Sequence, residues 1–334
     1  MQAAINTKYG PPEVLRLQEI DRPTAGEHEV VVEVHASVVT QGDRRLRAAD
    51  FPGISALFGR LLVGLFGPRH PVGGSMFAGR VVEVGSGVTR LSVGDDVFGS
   101  VMHGAYAEYL TLAEGDAVAK MPTNVSYAEA AAIPYGAGTA LVFLRDLANV
   151  QLGERVLVVG ASGGVGRMAV QIAKHLGAEV TGVCGGDGDL VRALGADEVI
   201  DYHTEDFTRR SRAWDVILDT TEGDHFRAFR RALTARGRYL SLYVTPRVLW
   251  EMAVTALREG PRAMCGVAQG TADLTEDLRE LAEQGAVRAV IAERFTLADV
   301  AAAHAQLESK RPHGSVVIDV VAPRERAPRP MVAA

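Results

Sequence analysis

The chain has 334 residues, 47% hydrophobic and 23% charged, a balance that fits a globular enzyme of about two domains and excludes a fibrous or disordered chain. Its formal net charge of −6 gives no electrostatic reason for nucleic acid or an anionic membrane as partner. Two cysteines far apart, Cys184 and Cys265, exclude a disulfide framework and a CxxC metal site.

The start, MQAAINTKYG, lacks an apolar signal core, so a cytoplasmic location is expected. Residues 29–35 (EVVVEVH) read as the clearest early strand, and 38–47 (VVTQGDRRLR) leave it into a polar loop. Residues 51–72 form an apolar segment punctuated by glycine and proline. Its most apolar part, 54–66, is cut by Gly59, Arg60 and Gly64 and is too short to cross a bilayer. Strands are expected at 77–84 and 96–101, with a turn at Gly85-Ser86-Gly87, and at 105–112 from its alternation. Close turns between short strands suggest a compact, partly open barrel.

Near Pro122 the texture changes. Ser126, with Glu129 three positions on, marks a helix start. From there to about Gly266 strands and helices alternate, which argues for a parallel sheet. Its centre is 155–184, RVLVVGASGGVGRMAVQIAKHLGAEVTGVC. Residues 156–159 form a buried strand and Gly160 to Gly166 the turn. Met168, Val170, Ile172, Ala173 and Leu176 recur at helical spacing up to Gly177, and Val180, Thr181 and Val183 begin the next strand. In such a turn Gly163 and Gly164 admit a pyrophosphate close to the backbone, Gly166 lets helix and strand pack tightly, and the free N–H groups of the helix start face the phosphates. A glycine triplet between a strand and an amphipathic helix points to a dinucleotide. Further strands are expected at 198–200, 215–219 and 238–242, a helix at 246–259, a strand around Cys265 and a helix at 274–284. The end, strand 289–295, helix 297–307 and strand 315–320, is expected to pack back on the first half, and the proline- and arginine-rich tail from Pro323 to be disordered.

These stretches together resemble the medium-chain dehydrogenase/reductase superfamily in its zinc-independent branch, the quinone oxidoreductase (zeta-crystallin-like) group. The resemblance is carried by AGRVVEVGSGVTRLSVGDDVFG (78–99), GAYAEYLTL (104–112), AAAIPYGAGTAL (130–141), the strand–turn–helix above, LGADEVIDY (194–202) and the end 287–320. It implies an α/β fold: a Rossmann doubly wound parallel sheet over 126–264, plus a β-rich, GroES-like, partly open barrel as the substrate domain over 1–125 and 265–334. Zinc-dependent relatives carry Gly-His-Glu where this chain reads Gly74-Ser75-Met76, and their structural zinc needs four cysteines, so no zinc is expected. His35, His70 and His103 read as surface or packing residues.

The resemblance implies a zinc-independent NAD(P)H-dependent oxidoreductase that transfers hydride to a quinone or an α,β-unsaturated carbonyl. Two alternatives stand beside it: an enoyl-thioester or biosynthetic double-bond reductase acting on a bulky apolar substrate, and a cofactor-binding protein with little redox turnover. The family's loop Asn-Pro-x-Asp-x-x-x-Arg corresponds to Thr40 through Arg47. Asp43 and Arg47 match, as a catalytic element or a structural ion pair, and Thr40 replaces the asparagine while keeping a hydrogen-bonding group. Tyr135 and Thr139 fall in the segment that abuts the nicotinamide in relatives, so the implied catalytic set is Thr40, Asp43 and Tyr135. Phe51, Leu57, Phe58, Leu61, Leu62, Leu65 and Phe66 either line a pocket for an apolar substrate or pack a helix on the barrel.

The implied cofactor set is Thr139, Ser162, Gly163, Gly164, Val165, Gly166, Cys184, Asp187 and Tyr202. An NAD site usually ends its second strand in an acid. Here that position is Cys184, which leaves room for a 2′-phosphate, and Tyr202 matches a tyrosine that flanks the phosphate in relatives. Asp187, where relatives place a cation, would repel it, and Arg192 is the nearest cation in sequence. The balance leans to NADP(H), with NAD(H) the alternative. The implied partners are a small apolar carbonyl, quinone or enone and, through the strand near Cys265, a second copy in a homodimer.

Overall fold

The computed structural model describes residues 1–51, 59–61, 63–223, 225–309 and 313–321. The expectations for Leu57, Phe58 and Leu62 and for the tail from Pro323 lie outside the described residues. The chain divides into two units. One comprises 1–51, 57–135 and 270–334, the other 52–56 and 136–269.

The first unit begins with the antiparallel ribbon β1 (Gln2–Ile5) and β2 (Arg16–Glu19). Then come β3 (Glu29–Val39), β4 (Met76–Val84), β5 (Asp96–Ser100), β6 (Tyr109–Ala113) and β7 (Val118–Lys120). The second unit supplies β8 (Arg155–Val159), β9 (Glu179–Cys184), β10 (Glu198–Asp201), β11 (Trp214–Asp219), β12 (Leu233–Ser241) and β13 (Arg262–Cys265). The chain then returns to the first unit with β14 (Ile291–Thr296) and β15 (Ser315–Asp319).

The large sheet of the first unit runs β14-β15-β3-β4-β5-β7, with β6 on β3. Its axis is β3, whose valines Val30, Val32 and Val34 are fully buried and pack on Phe77, Val81 and Val97. Register shifts along the β3–β4 ladder bend the sheet, as bulges do. Gly79 sits where a Cβ would lie 2.1 Å from the Glu33 carbonyl, so only glycine fits. The end of the chain does pack on the first half: β15 pairs antiparallel with β3, Val316 opposite Val39, and the helix Val300–Glu308 joins β14 to β15.

Two local expectations are corrected here. Residues 38–47 are not a polar loop: β3 continues to Val39 and the helix Gln41–Ala48 begins at once, capped by Thr40. Residues 105–108 do not extend the strand at Tyr109, because their backbone is used elsewhere. Ala4 N–H donates to the Tyr106 carbonyl at 2.8 Å, and Tyr106 N–H donates to the Gly73 carbonyl at 3.0 Å. In the 51–72 segment Leu61, Leu65 and Phe66 are exposed.

The second unit holds one sheet of order β10-β9-β8-β11-β12-β13, parallel at every pairing. Residues Val156, Leu157, Val158, Val180, Ile217 and Leu218 are buried on both faces, as a parallel sheet covered by helices demands. Strand order reverses between β8 and β11, so their carboxyl ends flank the crevice where doubly wound sheets bind ligands.

Candidate active site

In the second unit, β8 ends in Gly160, whose φ of +77° is a left-handed conformation that glycine adopts without strain. The N–H groups of Gly160 and Ala161 donate to the Val183 carbonyl at 3.0 and 2.9 Å, tying the turn to β9. The helix Gly164–His175 then starts with Gly163 as N-cap and with no side chain capping it. Its first N–H groups therefore remain available to a ligand. The three glycines do different work. A Cβ on Gly166 would stand 2.1 Å from the Gly160 carbonyl oxygen, so this glycine is what lets the helix close on the turn. A Cβ on Gly164 would meet nothing within 4 Å, and Gly163 and Gly164 are both exposed. This is an open cradle of backbone donors bounded by Ser162 and Val165, and it fits a dinucleotide pyrophosphate.

The end of β9 supplies the neighbouring surface. Cys184 is buried, and burial pushes its thiol up. The strand end therefore presents the bare backbone of Gly185 and Gly186 in place of the thiol. Tyr202 and His203 lie over this backbone so closely that a Cβ on Gly185 would be 2.5 Å from Tyr202 Cζ. Asp187 is the N-cap residue of the short helix Gly188–Ala193. Arg192 is engaged by Asp189 at 3.1 Å. Across the sheet switch, Thr220 Oγ1 donates to the Val159 carbonyl at 2.8 Å. Asp219 at the end of β11 is fully buried and accepts from Thr221 and Tyr239 while pairing with His225 Nδ1 at 2.7 Å.

The first unit places Thr40, Asp43 and Tyr135 together. A Cβ on Gly42 would contact both Thr40 Oγ1 and the Tyr135 ring, at 3.3 and 3.7 Å. Thr40 and Asp43 form a reciprocal capping box. Asp43 N–H donates to Thr40 Oγ1 at 3.1 Å, while the Thr40 backbone N–H and hydroxyl donate to Asp43 Oδ2 at 2.8 and 2.6 Å. Burial raises the Asp43 pKa, against hydrogen bonds from Thr40, Ser75 and Tyr106 that favour its charged form. The expected Asp43–Arg47 ion pair is not formed. Arg47 pairs with Glu308 instead and also donates to the Gly10 carbonyl at 3.2 Å, because its stem is buried and directed toward the helix Val300–Glu308. Asp43, Arg47, Tyr106 and His304 line one cavity of about 300 Å³. Tyr135 and Thr139 lie one turn apart on the helix Tyr127–Leu141, hence on one face of it.

Residues 26–123 match the alcohol dehydrogenase GroES-like domain family and residues 194–318 the zinc-binding dehydrogenase family. The chain is 32% identical to human NAD(P)H oxidoreductase RTN4IP1, mitochondrial, over 96% of its own length and 89% of that protein. Two solved structures superpose over 96% of the chain. The quinone oxidoreductase from Coxiella burnetii has a TM-score of 0.83 at 29% identity and is covered over 99%. The Escherichia coli quinone oxidoreductase complexed with NADPH has a TM-score of 0.79 at 25% identity and is covered over 100%.

The chain belongs to the medium-chain dehydrogenase/reductase family.

Within that family it stands with the quinone oxidoreductases, as an NAD(P)H-dependent oxidoreductase with a GroES-like domain and a Rossmann sheet. The medium-chain dehydrogenase/reductase fold accounts for the glycine turn, whose residues were all legible in the sequence. Sequence reading missed Arg167, the residue after the third glycine. Its only signal was a charged side chain on the buried face of an amphipathic helix: Arg167 is 5% exposed, and its Nη1 donates to the Ser162 carbonyl at 2.9 Å. Sequence reading also missed the Asp219–His225 pair, since nothing in local spacing shows that a strand-end aspartate meets a histidine six residues on. Among the described residues no three His, Cys, Asp or Glu side chains converge as a metal site. His70 and His103 stack on each other with ring centroids 3.7 Å apart, and His35 stacks on Tyr127.

Proposed function

We propose that this protein passes hydride from NADPH to the electron-poor carbon or oxygen of a quinone or an α,β-unsaturated carbonyl, without zinc. The observation that carries this reading is the open, uncapped glycine cradle of the second unit in a chain whose described residues bring no zinc-ligand set together. Ser75 and Met76 hold no ligand chemistry for zinc comparable with the His and Glu of zinc-dependent relatives.

The reduced nicotinamide, when bound, supplies the hydride. The protein's part is to bind and to orient. The N–H groups at the start of Gly164–His175, with Ser162 and Val165 beside them, hold the pyrophosphate, and the helix dipole favours its charge. Cys184, Gly185, Asp187 and Tyr202 would bound the adenosine ribose, and Thr139 would contact the nicotinamide. Thr40 spends its hydroxyl proton on Asp43, so this pair positions the helix Gln41–Ala48 and the neighbouring Tyr135. In the absence of a Lewis acid, polarisation of the acceptor oxygen falls to hydrogen-bond donors. The acceptor takes its proton from Tyr135 or from water.

The consumption of NADPH against a panel of quinones and a panel of enones tests the assignment. Turnover with members of either panel is expected, with quinones or enones of apolar substitution preferred. Tight NADPH binding with no turnover on either panel would replace this reading with that of a cofactor-binding protein.

A further inference from the structure

The helix that follows the glycine turn contains a cation placed against its own stability. Arg167 stands in the first turn of a 12-residue helix, where the macrodipole disfavours positive charge. It is 5% exposed, yet among the described residues its guanidinium donates only to the neutral carbonyl of Ser162. Among the described residues no carboxylate lies within the 4.0 Å of an ion pair with it. A guanidinium stays charged, and burying one without a counter-ion is costly. Desolvation pushes the Arg167 pKa down, and the more distant charge of Asp187 pushes it back up. Arg167 therefore lies against the phosphate turn, within electrostatic range of Asp187, which caps the helix that follows β9, and the end of that strand is where a doubly wound site receives the adenosine ribose. Arg192, on the helix that follows β9, is already held by Asp189.

We propose that Arg167 is the specificity residue of the cofactor site and that the anion it awaits is the 2′-phosphate of NADPH. The proposal rests on the reading of the chain as an NADPH-dependent oxidoreductase. Asp187 alone would repel a phosphate at this strand end. Arg167 offsets that charge, and the bare backbone of Gly185 and Gly186 leaves volume at the strand end. With NADH the guanidinium has no phosphate to meet and remains an uncompensated buried charge.

The test is a fluorescence titration of the full chain with NADPH and with NADH, on the wild type, Arg167→Gln and Arg167→Lys, with thermal unfolding of each. The wild type is expected to bind NADPH about tenfold or more tighter than NADH. Arg167→Gln is expected to lose about tenfold or more of its NADPH affinity and to keep NADH within about twofold, while Arg167→Lys keeps part of the preference. Equal losses for both cofactors, or none, would make Arg167 a structural brace and overturn the proposal. A wild type that prefers NADH overturns it as well. Should Arg167→Gln fail to fold, titration of the wild type with adenosine 2′,5′-bisphosphate and with 5′-AMP decides. The bisphosphate is expected to bind more tightly, and equal affinity refutes the role. A wild type that binds neither dinucleotide refutes the underlying reading.

Discussion

Asp43 and His304 are buried titratable groups on the same cavity, and their effects on stability run in opposite directions. Asp43 has its pKa raised by burial, so the folded chain holds its proton more tightly than the unfolded chain does. Above the unfolded value near pH 3.9 the folded chain carries a growing penalty as pH rises toward the folded value. Asp43→Asn keeps an acceptor for the Thr40 N–H and removes the ionisation. The melting temperature of the wild type relative to Asp43→Asn is therefore expected to fall as pH rises above about 4, and a constant difference would contradict the raised pKa of Asp43. His304 is held neutral, its pKa lowered to about 3 by burial with a smaller push from Arg47. Its contribution is fully present above the unfolded value near pH 6.5 and is lost progressively as pH falls from there toward about 3, because in that range only the unfolded chain takes up the proton. His304→Leu is expected to flatten the loss of melting temperature between about pH 7 and about pH 5. An unchanged slope would contradict the burial argument.

Among the elements, the glycine turn and the Thr40 cap separate binding from folding. Gly164→Ala enters open space, so the melting temperature is expected to hold while NADPH affinity falls, because the methyl group occupies the cradle. Gly166→Ala drives a Cβ into the Gly160 carbonyl and is expected to cost both stability and binding. Equal behaviour of the two variants in unfolding and titration would contradict the division of roles. Thr40→Ala removes an N-cap and is expected to cost about 1 kcal/mol in chemical denaturation. The turn was legible because its signals are local: a buried strand, three glycines at fixed spacing and an apolar helix stripe. The helix Gln41–Ala48 was not, because its sequence QGDRRLRA has no apolar stripe; it is fixed by the Thr40–Asp43 box and by Arg47 reaching Glu308, 261 positions away. Residues 105–108 alternate like a strand, yet β1 and Gly73 take their hydrogen bonds, and no local pattern could reveal that. Arg167 was hidden for a related reason, since its burial and its single carbonyl partner exist only once the helix has folded onto the turn.

At the scale of the whole chain, the first unit joins β15, from late in the sequence, to β3, from its start, while the second unit carries one parallel sheet of six strands. No helix among the described residues is long and apolar enough to cross a membrane. On the proposed function a chain of this family, with Ser75 and Met76 where zinc-dependent relatives carry His and Glu, delivers hydride to an acceptor unaided by zinc. The direct measurement is kcat/KM for NADPH-dependent reduction of its best quinone or enone, with metal content determined, before and after exhaustive chelation and again after zinc is added back. A value unchanged within about twofold across the three states is expected. Activity that disappears on chelation and returns with stoichiometric zinc would contradict it.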